Sequence, residues 1–449
     1  MMRQTDMARE LRQTDMVREL RKPDMAREFR QTDMVRELRK PDMACELRQA
    51  VMDELDITED ISDAELLDRI DSVLLGESRR RVLPVGDRAK LRKQLFDSFR
   101  RLDMLQELVD DDSITEIMVN GLDSVFIERA GRIIRWDKRF SSREILDNVI
   151  QQIVARVNRV VNTSTPIADA RLEDGSRVNI VLPPAAPDGP ILTIRKFSGK
   201  PLTMDRLIRL GSIDKEAARL LKDLVVAGYN IFISGGTGSG KTTFLNALSQ
   251  YIPEQERVIT IEDSCELQLR DIPNLVRLEA RNSNLEGENE ITIRDLIKTS
   301  LRMRPNRIII GEIRGPEALD MLQAMNTGHD GSLSTGHANS PEDMLSRIET
   351  MVLMGGELPI SAIRSQIASA IDVIVHLGRM RDGRRKVVSI MEVSGIDEKG
   401  EIRCRPIYRY DREAGKLIRC GSLAARRKLE AAGLSDLPYE PAGSGDGDG

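Results

Sequence analysis

The chain has 449 residues, 40% of them hydrophobic and 31% charged, which is long enough for roughly three domains with packed cores. Its net charge of −5 and its 3% of aromatic residues disfavour a nucleic-acid-binding surface, so nucleic acid is not an expected partner. No apolar run approaches the ~20 residues of a membrane span, and the four cysteines lack the paired spacing of a zinc site. We therefore expect a cytoplasmic protein with reduced thiols that reaches a membrane only through a partner.

Residues 3–47 consist of a nine-residue tandem repeat. The five copies read RQTDMAREL, RQTDMVREL, RKPDMAREF, RQTDMVREL and RKPDMACEL. Nine helical steps of about 100° end half a turn out of phase, so successive copies cannot build one continuous apolar stripe. Pro23 and Pro41 would further interrupt a helix. We predict a weakly ordered extension over residues 1–50, with a coiled-coil or partner-binding arm as the alternative.

Two regions of different character follow the repeats. Residues 51–110 carry a capping box at Ser62–Glu65 and apolar residues at helical spacing, which predicts a helical N-terminal region. Residues 111–200 combine short strand patterns with one long helix, which predicts a compact α+β domain, and residues 201–215 are predicted to form a linker with one short helix. Three arginines lie beside or within the strands: Arg171, Arg177 and Arg195. A solvated charge is the default interpretation for an arginine at a strand edge.

The stretch from 231 to 243, IFISGGTGSGKTT, carries the most specific motif. An apolar strand leads into a glycine-rich turn and a helix, and the spacing fits the phosphate-binding pattern G-x-x-x-x-G-K-[ST]. Glycines let backbone N–H groups turn toward a phosphate, and the helix adds its positive end. Lys241 would reach the β- and γ-phosphates of ATP, and the Thr242 hydroxyl would bind Mg²⁺. The predicted nucleotide-binding residues are Gly235, Gly236, Thr237, Gly238, Ser239, Gly240, Lys241, Thr242 and Thr243.

Strand and helix patterns alternate over residues 216–425, which predicts a parallel sheet with helices on both faces. Two of its strands end in charged residues: VITIED ends in Glu262 and Asp263, and RIIIGEIR delivers Glu312 and Arg314. Carboxylates at the carboxyl ends of parallel strands point into the crevice where a ligand binds. After a phosphate loop, such an acid holds the water shell of Mg²⁺ or activates the attacking water.

Two of the three histidines, His329 and His337, lie in the segment that follows. Either one could donate to a γ-phosphate or sense its loss. A structural histidine is the competing interpretation, and it has more weight for His329 than for His337. A metal site is not expected there, because no cysteine or further histidine shares the segment.

The motif order GGTGSGKTT, TIEDSCELQL, RIIIGEIRGPEA and GSLSTGHANS resembles the secretion-ATPase superfamily of type II and type IV secretion and type IV pili. The series is similar to that family's Walker A motif, Asp box, Walker B motif and His box. The segments VNGLDSVFIERAGRI, ARLEDGSRVNIVLPP and LTIRKF are most similar to the CpaF-type ATPases of tight-adherence pilus systems. The chain lacks the tetracysteine insertion of many type II assembly ATPases. It also departs from common family residues at Ser264, Cys265 and Gly336.

The resemblance implies an α/β fold class, with a RecA-like P-loop ATPase domain that has a parallel-rich sheet. A smaller α+β domain and a helical region would precede it. It also implies homo-hexameric rings that use ATP and Mg²⁺, in which nucleotide is expected to sit between the N- and C-domains. Glu312 is then the preferred base, and Glu312 or Glu262 holds the Mg²⁺ shell. The arginines resemble family residues that reach nucleotide phosphates from a neighbouring domain or subunit. The implied catalytic residues are Glu312, Glu262, His337, Arg171, Arg177 and Arg195.

We therefore expect an ATP-hydrolysing motor that powers pilus assembly or protein secretion across the bacterial envelope through an inner-membrane platform protein. The alternatives are a DNA-transporting or pilus-retracting secretion ATPase, a nucleotide-binding scaffold with little turnover, and a helicase-like motor. Basic residues do not outnumber acidic ones, which disfavours direct handling of DNA. The combination of two acids with His337 argues against a scaffold that only binds nucleotide. Residues 426–449, which end in PAGSGDGDG, are expected to form a flexible tail.

Overall fold

The chain divides into two compact units, Met1–Phe197 and Ser198–Gly449. The computed structural model describes residues 43–55, 61–80, 83–157, 160–197, 201–269, 271–281 and 289–434. The first four repeat copies and the end of the tail, from residue 435, lie outside the described residues, so the expectations for those segments stay predictions. Within the described ranges, no helix is both long enough and apolar enough to cross a bilayer.

The first unit begins with a bundle of three helices, α1 (Met43–Glu54), α2 (Asp63–Arg80) and α3 (Val85–Arg100). Their apolar residues recur every three or four positions, so each helix has one apolar face. Each helix contributes to a common buried core, through Leu47, Ile70 and Leu95 among others. Residues 43–50, which include the second half of the fifth repeat copy, therefore differ from the weak order predicted over residues 1–50. Residues 43–47 of that copy form the start of α1, because burial of Leu47 against the bundle stabilises the helix.

A six-stranded antiparallel sheet completes the first unit, in the order β3-β2-β1-β6-β5-β4. A 3₁₀ turn (Asp103–Leu105) and α4 (Gln106–Asp110) lead into it. Helix α5 (Arg143–Ala155) begins at the N-cap Ser142 and buries its apolar face in the same core as the sheet. The strands are β1 (Ile114–Asn120), β2 (Ser124–Arg129), β3 (Arg132–Arg135), β4 (Ile167–Arg171), β5 (Arg177–Val181) and β6 (Ile191–Arg195).

A nine-stranded sheet organises the second unit, in the order β15-β14-β13-β12-β7-β11-β10-β8-β9. The six strands from β12 to β9 in this order run parallel, and β13, β14 and β15 extend the sheet as antiparallel neighbours. The parallel strands are β7 (Ile231–Gly235), β8 (Val258–Glu262), β9 (Leu275–Glu279), β10 (Arg307–Ile310), β11 (Leu333–His337) and β12 (Val373–Arg379). The antiparallel strands are β13 (Arg385–Ile396), β14 (Ile402–Asp411) and β15 (Lys416–Arg419).

Helices cover both faces of the parallel strands, as the alternating pattern predicts. Successive strand residues point to opposite faces, so Ile231 and Ile233 enter one core while Phe232 enters the other. The first core includes α6 (Met204–Arg209), α7 (Lys215–Val226) and α8 (Lys241–Ser249). The second includes α9 (Ile293–Ser300), α10 (Glu317–Asn326), α11 (Pro341–Gly355) and α12 (Ile360–Ala370). The second unit is thus an α/β domain with a parallel-rich sheet.

The linker expected over residues 201–215 belongs to the second unit. Met204, Leu207 and Ile213 are buried in the same core as α7 and α8. Thr203 caps α6 by accepting a hydrogen bond from the backbone N–H of Arg206. The segment is therefore part of the α/β domain, because its apolar residues have a core to enter.

The first residues of the segment expected to form a flexible tail, 426–434, are ordered instead. Helix α13 (Arg427–Ala431) buries Leu429 in the core of the second unit. The ammonium of Lys428 lies 2.8 Å from Oδ2 of Asp372 and 2.7 Å from Oδ1 of Asp330. These contacts hold residues 426–434 against the sheet, because Asp372 is half-buried and a cationic partner offsets the cost of burying its charge.

Arg307 lies at the amino end of β10, at the edge of the sheet opposite to the strand ends that carry the predicted site. It is 2% exposed. Its guanidinium pairs with Glu256 and donates hydrogen bonds to the carbonyl oxygens of Val225 at 2.6 Å and Gly331 at 3.4 Å. Gly331 has a φ of +81°, and a Cβ added there would come within 2.5 Å of Nη1 of Arg307. A side chain at Gly331 would therefore meet two unfavourable effects, a left-handed backbone conformation and a steric clash with the buried Arg307.

We expect Gly331→Ala to lower the free energy of unfolding of the second unit by about 2–4 kcal/mol, from left-handed backbone strain plus overpacking. Gly383→Ala is the matched control, because Gly383 has a φ of +83° but open space where a Cβ would lie. In the control, the free energy of unfolding should fall only by the cost of the left-handed backbone, about 1 kcal/mol. Urea unfolding of both variants measures the difference, and equal losses would show that Arg307 does not restrict this position.

Candidate functional site

The loop between β7 and α8 has the geometry of a phosphate-binding loop. Strand β7 ends at Gly235 and α8 begins at Lys241, and three glycines of this stretch have positive φ: Gly235 at +154°, Gly238 at +68° and Gly240 at +93°. A Cβ on Gly235 would lie 2.5 Å from the carbonyl oxygen of Leu377 and 2.6 Å from Oγ of Ser239. The position therefore requires glycine. Thr242 and Thr243 follow in the first turn of α8, both half-buried.

Lys241 is 7% exposed and folds back over the loop. Its ammonium donates to the carbonyl oxygens of Gly235 at 3.2 Å and Gly236 at 3.3 Å. It also lies 3.1 Å from Nδ1 of His337. A buried ammonium needs such acceptors, and neutral oxygens and an imidazole are weaker partners for it than a phosphate. An anion in the loop would therefore compete well for this side chain.

Strand register brings the histidine and the acids to this loop. Strand β11 lies between β7 and β10, with His337 opposite Gly235. Strand β8 lies on the other side of β10, and the backbone N–H of Gly311 donates to the carbonyl of Ile261 at 2.8 Å. The carboxyl ends of all four strands thus meet at one edge, as expected for a ligand crevice in a parallel sheet.

His337 connects the loop lysine to the first acid. Its Nε2 lies 2.8 Å from Oε1 of Glu312. Burial lowers the pKa of His337 despite the opposing effect of the Glu312 charge, and Lys241 lowers it further. The imidazole is therefore neutral at pH 7. Because the ammonium of Lys241 can only donate, Nδ1 is the acceptor, and the ring proton belongs on Nε2, facing Glu312.

Glu312 is held from the other side by Arg314. Nη2 of Arg314 donates to Oε2 of Glu312 at 2.8 Å, and Nη1 lies 3.5 Å from Oδ2 of Asp263. Asp263 is exposed, whereas the Glu312 side chain is only 18% exposed. The guanidinium keeps the Glu312 carboxylate oriented with Oε1 toward His337 and the loop.

Glu262 is the second acid and has a different environment. It ends β8, is 3% exposed, and its Oε2 accepts hydrogen bonds from the backbone N–H groups of Glu266 at 2.8 Å and Leu267 at 3.0 Å. Burial raises the pKa of Glu262 to about 7, although these two hydrogen bonds oppose the shift. A Cβ on Gly311 would lie 2.8 Å from Cγ of Glu262. The glycine after β10 therefore leaves the space that this carboxyl group occupies.

Buried polar atoms around the loop lack a hydrogen-bond partner within the described part of the chain, among them Oγ of Ser239 and Oε1 of Glu262. Such atoms are uncommon in protein interiors because each one costs desolvation energy. Carboxylate oxygens, a hydroxyl and a glycine cradle match the needs of a phosphate chain with Mg²⁺, which prefers oxygen ligands and retains waters. The residues present therefore fit a Mg²⁺–nucleotide complex.

The structure brings the three sequence-predicted arginines together in the first unit. They form one row across neighbouring strands, with Arg171 opposite Arg177 and Arg177 opposite Arg195. Arg195 also lies 3.7 Å from Glu116 on β1. Like charges directly opposite each other destabilise a sheet, so an anion bound along this row would relieve the repulsion between the arginines.

His329 does not join the site. Its Nδ1 lies 3.1 Å from the carbonyl oxygen of Ala324, at the carboxyl end of α10. An imidazole in this place satisfies a helix-end carbonyl, so the structural interpretation of His329 is the better one.

Arg385 is a site residue that sequence reasoning missed. It begins β13, and its Nε donates to the carbonyl oxygen of Gly238 at 2.8 Å. A Cβ on Gly240 would lie 3.3 Å from Cδ of Arg385, so the side chain packs over the loop. In the sequence, it belongs to an arginine-rich hairpin that reads as a solvated turn. Only the pairing of β12 with β7, which sets Leu377 opposite Gly235, carries the hairpin to the loop.

A buried pair behind the loop was also missed. Nδ1 of His376 on β12 lies 2.8 Å from Oγ of Ser234 on β7. Burial lowers the pKa of His376, so the ring is neutral at pH 7 and its nitrogens can accept as well as donate. The pair joins the strand that ends at the loop to its neighbour, and a lone histidine in an apolar strand gives no sequence signal for this contact.

Comparison with known proteins places these features in a family. The family model described as "Type II/IV secretion system protein" matches residues 100–414. A putative conjugal transfer protein of Mycobacterium tuberculosis is 36% identical over 317 residues, which cover 69% of this chain and 88% of that protein. The type IV secretion system protein VirB11 of Brucella suis is 34% identical over 340 residues, covering 70% and 94% of the two chains. The crystal structure of the Brucella suis VirB11 ATPase with sulphate covers 64% of this chain and 95% of its own, at 32% identity and a TM-score of 0.36.

The raised pKa of Glu262 predicts a pH-dependent stability. The pKa of Glu262 in the folded state, about 7, exceeds the ordinary value of 4.5. The contribution of its protonated carboxyl group to the free energy of unfolding is therefore fully present below pH 4.5 and is lost as the pH rises through 7. Without nucleotide, Glu262→Gln should be more stable than the parent by about 1–3 kcal/mol near pH 8 and nearly equal near pH 5. Urea unfolding at both pH values tests this. Glu279→Gln, at the exposed paired position on β9, is the control variant. A gain in Glu262→Gln that is the same at both pH values would contradict the assignment.

The contact of Arg385 with the loop predicts a role in nucleotide affinity. Arg385→Ala should weaken binding of a fluorescent ATP analogue about three- to tenfold, since one charge-assisted hydrogen bond to the loop is lost. Arg384→Ala is the control, because Arg384 pairs with Asp382 within the turn. Titration by fluorescence gives both dissociation constants, and equal constants for the two variants would remove Arg385 from the site.

Proposed function

The chain belongs to the type II/IV secretion system protein family, and we propose that it is an ATP-hydrolysing motor that drives protein secretion or pilus assembly. The observation that carries this proposal is the convergence of a phosphate loop, two carboxylates and a neutral histidine at one sheet edge. Lys241, His337 and Glu312 form a continuous series of contacts there. A site built only to hold nucleotide would not need a carboxylate and a histidine aligned toward the loop.

The roles of the residues follow from their contacts. Backbone N–H groups of the loop and the ammonium of Lys241 would bind the phosphates, and the Thr242 hydroxyl would hold the metal. Bound Mg²⁺ supplies charge neutralisation at the phosphates. Glu312 accepts the proton of the attacking water, because Arg314 and His337 fix the orientation of its carboxylate. When Lys241 moves to phosphate it leaves Nδ1 of His337, so the histidine senses whether the loop is filled.

Glu262 takes the second acid role. Its free Oε1 is available to a water of the Mg²⁺ shell, while Oε2 is bound by the backbone N–H groups of Glu266 and Leu267. The charge of a bound metal would lower the pKa of this buried carboxyl group and ionise it. Glu262 is therefore the metal-shell residue and Glu312 the base.

The finer assignments belong to the same proposal. The row of Arg171, Arg177 and Arg195 takes phosphate charge during hydrolysis, since the row favours an anion. The chain acts as a homo-hexamer of the CpaF type at the cytoplasmic face of the membrane, through an inner-membrane platform protein. Support for these points comes from the resemblance of the motifs. The putative conjugal transfer protein among the relatives keeps DNA transport as the alternative use of the same motor.

We expect Glu312→Gln to lower kcat for phosphate release on the order of 10²–10⁴-fold, because the water loses its base, while ATP still binds. Lys241→Ala should lose turnover together with most of the affinity. Asp263→Asn is the matched control, since Asp263 contacts Arg314 but lies outside the contacts of His337. Mg²⁺-dependent phosphate release and nucleotide titration measure both quantities.

Three outcomes would change the proposal. A larger loss in Glu262→Gln than in Glu312→Gln would move the base to Glu262. Normal turnover in Lys241→Ala would remove the site from the loop. No turnover in the parent at any protein concentration would favour a nucleotide-binding scaffold. When mass is measured alongside, turnover that rises as rings form supports a hexameric enzyme.

A further inference from the structure

The buried pair of Ser234 and His376 lies directly behind the phosphate loop. Ser234 is fully buried and His376 is 7% exposed. Oγ of Ser234 and Nδ1 of His376 are 2.8 Å apart. Ser234 immediately precedes Gly235, the residue at which β7 ends and the loop begins. A hydrogen bond to the Ser234 hydroxyl therefore restrains the strand at the point where it enters the loop.

The other side of the His376 ring contacts the segment that carries His337. Burial lowers the pKa of His376, whereas the charge of Glu342 and a hydrogen bond to the backbone of Asn339 oppose this shift. A backbone group raises the pKa of an imidazole when it accepts a hydrogen bond from the ring, so the acceptor is the carbonyl oxygen of Asn339. A neutral imidazole has one N–H. The ring proton is therefore on Nε2, and Nδ1 accepts from the Ser234 hydroxyl.

Strand pairing places this pair in one row across three strands. Ser234 lies opposite His376 of β12 on one side and opposite Gly336 of β11 on the other. Gly336 is one of the positions at which the chain departs from common family residues. A Cβ on Gly336 would lie 2.9 Å from Sδ of Met344, so α11 packs tightly against β11 there. The missing side chain at Gly336 thus lets α11 cover the row.

The imidazole of His376 joins the two segments whose contacts make up the site. In the first segment, the carbonyl oxygen of Gly235 accepts from the ammonium of Lys241. In the second, His337 lies between that ammonium and the carboxylate of Glu312. A rigid ring with a hydrogen bond to each segment restricts their separation. Functional side chains depend on such support from the residues behind them.

We propose that His376 is a positioning residue of the nucleotide site. Its hydrogen bond from Ser234 holds the phosphate loop, and its hydrogen bond to Asn339 holds the segment of His337. This inference rests on the proposed function, because it assigns a role within the same site. Loss of the first bond loosens the loop and weakens nucleotide binding. Loss of the second displaces His337 and, through it, the Glu312 carboxylate, which slows the chemical step.

Two amide substitutions separate the two hydrogen bonds. An asparagine places its amide oxygen near the position of Nδ1 but is too short to reach Asn339, whereas a glutamine places its amide nitrogen near the position of Nε2. His376→Asn should therefore lower kcat about ten- to hundredfold with little change in the dissociation constant of a fluorescent ATP analogue. His376→Gln should weaken that binding about three- to tenfold with a smaller loss in kcat, and Ser234→Ala should do the same.

Ser389→Ala is the matched control. Ser389 is a buried serine that lies opposite His376 on β13, on the side away from the loop. The control should keep the parent's kcat and dissociation constant. Urea unfolding of all variants measures their stability alongside. If kcat and affinity fell together in both His376 variants, in proportion to the loss in the free energy of unfolding, the role would be structural and the proposal would be overturned.

The tautomer of His376 gives a readout that does not require turnover. The chain has three histidines, so the ¹⁵N NMR signals of His376 in histidine-labelled protein are those lost in His376→Gln. The parent should carry the ring proton on Nε2, and Ser234→Ala should shift the Nδ1 signal whereas Ser389→Ala should not. A proton on Nδ1 would contradict the proposed contacts.

Failure of this inference and failure of the proposed function look different. A parent that hydrolyses ATP, with unchanged kcat and affinity in the His376 and Ser234 variants, would overturn the positioning role alone. A parent without turnover, in which the tautomer and the pattern of affinities are as expected, would overturn the motor and retain His376 as a positioning residue of a nucleotide-binding site.

Discussion

Parallel pairing around β7 is the constraint on which the rest of the site depends. It sets Gly235 opposite His337 on one side and opposite Leu377 on the other. The carbonyl oxygen of Leu377 lies so close that only glycine fits where the strand turns into the loop. The same register places the acid after β10 next to the histidine, so a slip by one residue would move each of these side chains to the wrong face.

The polar groups at this edge act as a connected series. The Lys241 ammonium contacts His337, which contacts Glu312, and Arg314 joins Glu312 to Asp263. Each contact restricts the next, so the state of the phosphate loop is linked to the orientation of the Glu312 carboxylate. A neutral histidine suits this place because it can accept from the lysine and present its proton to the acid at the same time.

This arrangement has a cost in stability. A carboxyl group at Glu262 that is almost fully buried, and a buried Ser239 hydroxyl without a hydrogen-bond partner among the described residues, oppose folding. The parallel strands bury apolar side chains in a core on each face of the sheet, and this burial offsets that cost. At the opposite ends of the strands, the buried guanidinium of Arg307 has partners in Glu256 and two carbonyl oxygens. The unfavourable groups are confined to the edge where a charged ligand would satisfy them, as is common for functional sites.

The sequence by itself determined the phosphate loop, its two acids and His337, because those motifs are contiguous and their geometry arises from a few neighbouring residues. It also determined the α/β alternation, through apolar runs of strand length. Only the tertiary structure decided the contact of Arg385 with Gly238, which spans 147 positions, the row of three arginines, and the packing of α13 through Lys428. Such contacts depend on strand order and register, and a charged residue in a turn or tail looks the same in sequence whether or not the fold gives it a partner.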